Sequence, residues 1–250
     1  MKLTIKPPKI YIPSVEEIAM LDNYNYEFVP AEGFANTYAL GVHKLRNECK
    51  PGDSHPTFVL DNGKEIIRPL TFRETIEARV KDYETLKDDD GNEKTKKDRL
   101  KLFQRYLLSC TGVAYKKETT KFKIIPVCTD LIGIDKDFNQ RFLPINYANL
   151  TGTELDSSQN KYNTLLTKQE VLNNPAWLTA VEDDKNLLKA YVNIVFSVKQ
   201  ENKLMRFWVR QNIEEDELRA LFVVNLGSNS NANGNVSLNG NARFLRLSQV

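Results

Sequence analysis

The chain marks its helix starts more clearly than anything else, and those marks limit what it can fold into. Thr71 with Glu74 and Thr167 with Glu170 each match a capping box. The first residue accepts from the backbone of the third helical position, and the glutamate there reaches back. Ser14 with Glu17 is another such pair. Asn174 stands before Pro175, and proline is favoured at a first helical position. Asp184 precedes a stripe of Leu187/Leu188, Tyr191, Ile194/Val195 and Val198 at helical spacing. Strand-like runs lie between these signals. The chain therefore reads as α+β, with mixed helices and short antiparallel sheets.

In "TFVLDNGKEIIRPL" (57–70), two β-prone runs flank "DNG", the strongest hairpin signal in the chain. "FANTYALGVHKLRN" (34–47) places Phe34, Tyr38, Gly41/Val42 and Leu45 on one helical face. Phe72, Ile76, Val80 and Tyr83 form one stripe, and Leu100, Phe103, Leu107 and Cys110 form a second. With the charged run 87–98 between them, residues 72–110 predict two antiparallel helices. "KFKIIPVC" (121–128) and "DLIGI" (130–134) predict strands, and 135–162 an irregular stretch. Residues 203–211 suit a strand or a helix start, and "EEDELRALFVV" (214–224) a helix passing into a strand.

Both ends carry sticky segments. "KLTIKPPKIYIP" (2–13) holds three prolines, which remove backbone donors and keep the chain extended. Residues 1–14 are an extended arm with Ile5, Ile10, Tyr11 and Ile12 available to a partner, as an added strand or clamp, or to their own domain. From Leu226 to Ala242 the chain has six Asn, three Gly and three Ser, then turns to "RFLRL". A polar loop between "ALFVV" and "RFLRL" predicts a C-terminal β-hairpin that exposes the loop to a neighbour, with Phe244 and Leu245 of the apolar end as further partner-binding residues. Residues 15–250 read as one irregular domain, with a candidate seam at 111–120.

Chemical motifs are scarce. GxSxG, GxxxxGK[ST] and GxGxxG are absent. His43, Cys49 and His55 are six apart on each side, too far for the close pairs of a structural zinc site. "DDDGNE" and "DKDFNQ" open like calcium loops. They have Glu93 and Gln140 where glycine belongs, and Arg99 and Asn146 where the bidentate glutamate belongs. Asp135 and Asp137 are the best weak metal candidates, and with Asp130 the best acid–base ones, but a capped turn explains them more simply. No cofactor is implied, and the reading is non-enzymatic. Cys49, Cys110 and Cys128 are too few and too scattered for a disulfide framework, which suits a reducing, cytosolic compartment. No apolar run approaches a membrane span.

A net charge of +2 argues against a protein that coats nucleic acid. A local basic face remains as the alternative function. Lys96, Lys97, Lys101, Lys121 and Lys123 would track phosphates, with Tyr115 and Phe122 among them to stack bases. The competing account is the solvated face of an amphipathic helix.

An Asn- and Lys-rich chain with an extended arm and no catalytic signature resembles structural proteins of tailed bacteriophages, including the crAss-like kind. The segments that carry the resemblance are "KLTIKPPKIYIP" and "NANGNVSLNGNARFLRL". Neither is a defined motif, so no functional residue transfers. The resemblance implies a capsid, connector or tail subunit that works through protein contacts in an oligomeric assembly. The protein would then reside in the virion, and otherwise in the cytoplasm.

Overall fold

A computed structural model of the chain describes residues 24–29, 37–49, 55–60, 63–87, 91–240 and 244–249. The N-terminal arm, with Ile5, Ile10, Tyr11, Ile12 and the Ser14 capping box, lies outside the described residues.

The first elements are β1 (Tyr24–Val29), α1 (Tyr38–Glu48) and the hairpin β2 (Thr57–Val59) with β3 (Glu65–Ile67). α2 (Phe72–Glu84) begins at the expected capping box. Glu74 N–H donates to Thr71 Oγ1 at 3.1 Å, and Thr71 N–H donates to Glu74 at 2.7 Å. A short helix α3 (Lys96–Arg99) and a 3₁₀ turn (Leu102–Gln104) follow, then β4 (Leu107–Tyr115), β5 (Lys121–Ile125) and α4 (Thr129–Ile132). β6 (Leu143–Pro144) and β7 (Thr153–Asp156) precede three capped helices, α5 (Lys168–Leu172), α6 (Pro175–Ala180) and α7 (Lys185–Lys199). The chain closes with β8 (Phe207–Trp208), β9 (Glu217–Val223), β10 (Ala232–Asn233) and β11 (Phe244–Gln249). The fold is α+β.

The main sheet runs β7-β5-β4-β9-β10-β8, with β6 also paired to β9. β4 is its central strand, antiparallel to β5 and β9. This overturns the expected second helix. All nine residues of β4 are buried, so the strand shows no inside–outside alternation, and its apolar run was open to a helical reading. Residues 111–120, the candidate seam, form the second half of β4 and the turn into β5, inside the sheet. "DLIGI" is helix α4 over most of its length, not a strand. The helix expected before β9 is absent too, since residues 213–216 run straight into the strand.

"RFLRL" does form a strand, but not a hairpin with β9. β11 pairs antiparallel with β1, Val29 opposite Phe244 and Tyr24 opposite Gln249, in a separate two-stranded sheet. A strand partner more than 200 residues upstream leaves no local signature to read.

The main sheet packs on both faces. On one, Val113 and Tyr115 of β4, Phe122 and Ile124 of β5, and Leu221 and Val223 of β9 meet Ile76 and Val80 of α2 and Leu188, Tyr191, Val192 and Val195 of α7. Trp177 of α6 is fully buried there, edge-on to Phe207 at 5.9 Å. On the other face, Ala114, Leu218 and Ala220 meet Tyr38, Val42 and Leu45 of α1 and Phe244 of β11. Gly112 is required by this packing: a Cβ there would lie 2.9 Å from Leu218 and 3.0 Å from Cys128.

Arg79 of α2 is fully buried and stitches the helical face together. Its Nη1 donates to Tyr191 Oη at 2.8 Å and to the Val224 carbonyl at 3.1 Å, and Nη2 donates to the Arg105 carbonyl at 2.5 Å.

Candidate functional site

β9 alternates, so Glu217, Arg219, Leu221 and Val223 share one face. Leu221 and Val223 belong to the core under the helices. Glu217 and Arg219 are buried charges at the other end of the same stripe, 2% and 4% exposed. Burial of a charge demands a partner. Arg219 Nε donates to Glu217 Oε1 at 3.0 Å and Nη2 to Oε2 at 3.2 Å, while Nη1 donates to the Val236 carbonyl at 3.1 Å. The Arg219 guanidinium also lies 5.4 Å from the centre of the Phe142 ring.

One edge of β9 is taken by β4. Along the other, β6 pairs at Leu218 and Glu217, and β10 pairs at Val223 and Phe222. The two short strands leave an unpaired gap between them, level with Arg219. Here a cleft of about 240 Å³ opens, lined by Arg141, Phe142, Arg210, Arg219, Asn235 and Ser237. Arg141 and Phe142 enter just before β6, Arg210 just after β8, and Asn235 and Ser237 just after β10. The last two belong to the Asn/Gly/Ser segment. That segment is held in place by the Tyr115 hydroxyl, which donates to the Gly234 carbonyl at 2.9 Å, and by Leu238 N–H, which donates to the Arg141 carbonyl at 2.8 Å.

The cleft is electropositive. Arg210 Nε lies 2.8 Å from Glu217 Oε1, an ion pair without hydrogen-bond alignment. Arg141 is exposed and forms no ion pair or hydrogen bond from its guanidinium among the described residues. One carboxylate therefore answers three guanidinium groups. Asn235 is exposed, with no partner for its side-chain amide among the described residues, while Ser237 Oγ donates to Asn239 at 2.8 Å. Such a site can hold a small anionic or hydrogen-bonding group.

The residues singled out from sequence sit elsewhere. Phe244 and Leu245 are 1% exposed, and Phe244 packs edge-on against Tyr38 at 5.2 Å. They anchor the C-terminus in the chain's own core and offer no surface to a partner. Tyr115 and Phe122 are likewise buried, so neither can stack a base. Lys123 donates to the Tyr147 and Leu150 carbonyls at 3.1 and 2.8 Å, and Lys121 pairs with Glu154 at 2.9 Å. Lys96, Lys97 and Lys101 are exposed, in and just after α3. Asp135 accepts from Asp137 N–H at 2.8 Å in a capped turn. Among the described residues no group of three His, Cys, Asp or Glu side chains is placed to hold a metal. His43 lies 3.2 Å from the Ile134 carbonyl, and His55 is buried. Cys110 and Cys128 are buried thiols that burial pushes up to about 12. No helix among the described residues is long and apolar enough to cross a membrane.

Sequence reading missed the cleft. The available signal was Glu217 and Arg219, two charges at strand spacing inside "ELRALFVV". Opposite charges on the buried face of a strand mark a place where the core gives way to something else.

No protein-family model matches the chain, and no curated protein does. A solved structure that matches is a C-type lectin fold from Nanoarchaeota, described as accommodating massive sequence variation. The TM-score is 0.57 at 14% identity, over 90% of this chain and 99% of that one. The likeness is one of fold: this chain has a C-type lectin-like architecture.

Proposed function

We propose that this chain is a non-enzymatic recognition protein, in which a packed α+β framework holds a loop-built cleft that meets a partner. The observation that carries the reading is convergence. Segments near residues 141, 210, 219 and 236, far apart in sequence, line one cleft in the gap between β6 and β10. Recognition residues commonly sit on loops positioned by a rigid scaffold. The framework's large core depends on none of the exposed cleft residues, so the surface can differ while the fold persists. The Nanoarchaeota C-type lectin fold, described as accommodating massive sequence variation, supports that separation of framework from surface. An assembly subunit working through protein contacts is the setting favoured here, and a tailed-phage virion is the one the sequence resemblance implies.

The reading is tested by probing immobilised full-length protein with peptide and glycan arrays, next to an Asn235→Trp variant. Asn235 is exposed, and its backbone bond to Asn233 survives the change, so the variant fills the cleft without unfolding the chain. Expected is at least one ligand class retained by the native protein and lost by the variant. Equal retention of every ligand by the two proteins sinks the proposal.

A further inference from the structure

We infer that the cleft is a carboxylate-binding subsite, which rests on the recognition reading and names the chemistry it recognises. Arg141, Arg210 and Arg219 face one small space, and among the described residues the only acid joined to them is Glu217. Its near neighbours do not supply a second. Asp216 accepts from Lys117 N–H at 2.8 Å and from Tyr147 N–H at 3.1 Å, and Glu214 and Glu215 are exposed and do not line the cleft. Like charges crowded in one concavity repel, and an anion placed among them relieves that repulsion.

Geometry narrows the anion. Glu217 occupies Nε and Nη2 of Arg219, and the Val236 carbonyl occupies Nη1, so Arg219 is locked and serves as a fixed positive wall. Arg210 touches Glu217 only through Nε, leaving its outer N–H groups for a ligand. Arg141 has its whole guanidinium fork free among the described residues, and forks of this kind match a planar carboxylate with two parallel bonds. Asn235 adds a neutral donor, and Phe142 adds an apolar wall for a carbon stem. A space of about 240 Å³ is below the usual range for a drug-sized ligand. It admits one acidic group with a short stem: a free small acid, or the Asp or Glu side chain of a partner protein.

Titration calorimetry on the full chain tests this with two probes at constant ionic strength. One is sodium malonate against sodium chloride. The other is a capped peptide with a single central Asp against its Asn twin. Saturable binding of malonate, of the Asp peptide or of both is expected, with chloride and the Asn twin silent. Malonate alone identifies a free acid as the source, and the peptide alone identifies an acidic side chain. Arg141→Gln should weaken binding about tenfold or more, the loss of a charge-assisted bond pair. Because the Arg141 guanidinium holds no partner among the described residues, thermal unfolding of this variant should match the native protein. Asn235→Trp should abolish binding. If neither acid binds better than its control, or if Arg141→Gln binds as well as the native protein, the inference is overturned. An uncharged array ligand lost in Asn235→Trp, with both acids silent, would sink the carboxylate subsite and leave the recognition reading standing. Carboxylate binding with no array ligand would do the reverse.

Discussion

The two ends of β9 each meet a buried arginine, and the two arginines do different things. Beyond the C-terminal end, Arg79 donates to the Val224 and Arg105 carbonyls and to Tyr191. No carboxylate is involved, and Phe103 lies 5.5 Å from its guanidinium. At the N-terminal end, Arg219 is held by Glu217 and stands in a row with two further arginines beside open space. The first guanidinium satisfies carbonyls at the ends of two segments and a tyrosine hydroxyl, and is buried under the helices. The second is locked in the wall of a cleft by a carboxylate that cannot neutralise its neighbours. Burial alone therefore does not separate a structural arginine from a binding one; the identity of its partners does.

Substitution should expose the contrast. Arg79→Ala removes a fully buried side chain and strands two carbonyls and a tyrosine hydroxyl. It should destabilise by about 4 kcal/mol or more, read as a shift in denaturation midpoint. Glu217→Ala should cost about 3 kcal/mol, because Arg219 is left buried without a counter-charge. Replacing the pair together, Glu217→Leu with Arg219→Met, should return most of that loss, since an apolar pair of similar volume often matches a buried ion pair. The double variant should nevertheless lose the cleft's ligand. Equal losses for the single and double variants would mean that the pair is structural, like Arg79, and the comparison would fail.

Helices α2, α5, α6 and α7 were legible in sequence because their causes are local. Thr71 is the clearest example: its hydroxyl and Glu74 satisfy each other's end of the helix within four residues. Thr71→Ala should cost about 1 kcal/mol, measured in the same denaturation experiment. Asn174 and Asp184 were equally readable as helix caps. β4 was not, because Leu107 and Cys110 of a strand buried on both faces happen to continue the helical spacing of Leu100 and Phe103 in the preceding turns. The partner of β11 was not legible either, since only the folded chain brings 24–29 to 244–249. The cleft shares that difficulty. Arg141, Arg210 and Asn235 become neighbours only through the pairing of β6 and β10 to one edge of β9. Only Glu217 and Arg219 announced themselves, by being charged where the strand pattern called for apolar residues.

Acid probes a third region, away from both ends of β9, and should give the smallest effect. His55 is 4% exposed, with its ring nitrogens 3.5 Å from the carbonyls of Pro56 and of Leu245 in β11. Burial pushes its pKa below the ordinary histidine value; those carbonyls and Glu74 pull upward, and Arg68 pushes further down. The unfolded chain then takes up the proton more readily than the folded one. The stability that His55 contributes is complete above its unfolded pKa of about 6.5 and is lost as pH falls through the lower folded value. Glu74 acts in a separate window. Burial alone would raise its pKa, but the paired bonds from Arg68 and the Thr71 N–H hold it below the ordinary carboxylate value. Its contribution persists until pH drops below about 4. Thermal midpoints measured from pH 7.5 downward should therefore fall in two steps. His55→Gln should remove the first step, and Glu74→Gln should shrink the second, which Glu170, Glu154, Asp98 and Asp156 share because hydrogen bonds hold their carboxyls below the ordinary value. A first step that survives His55→Gln would show that acid enters the fold elsewhere.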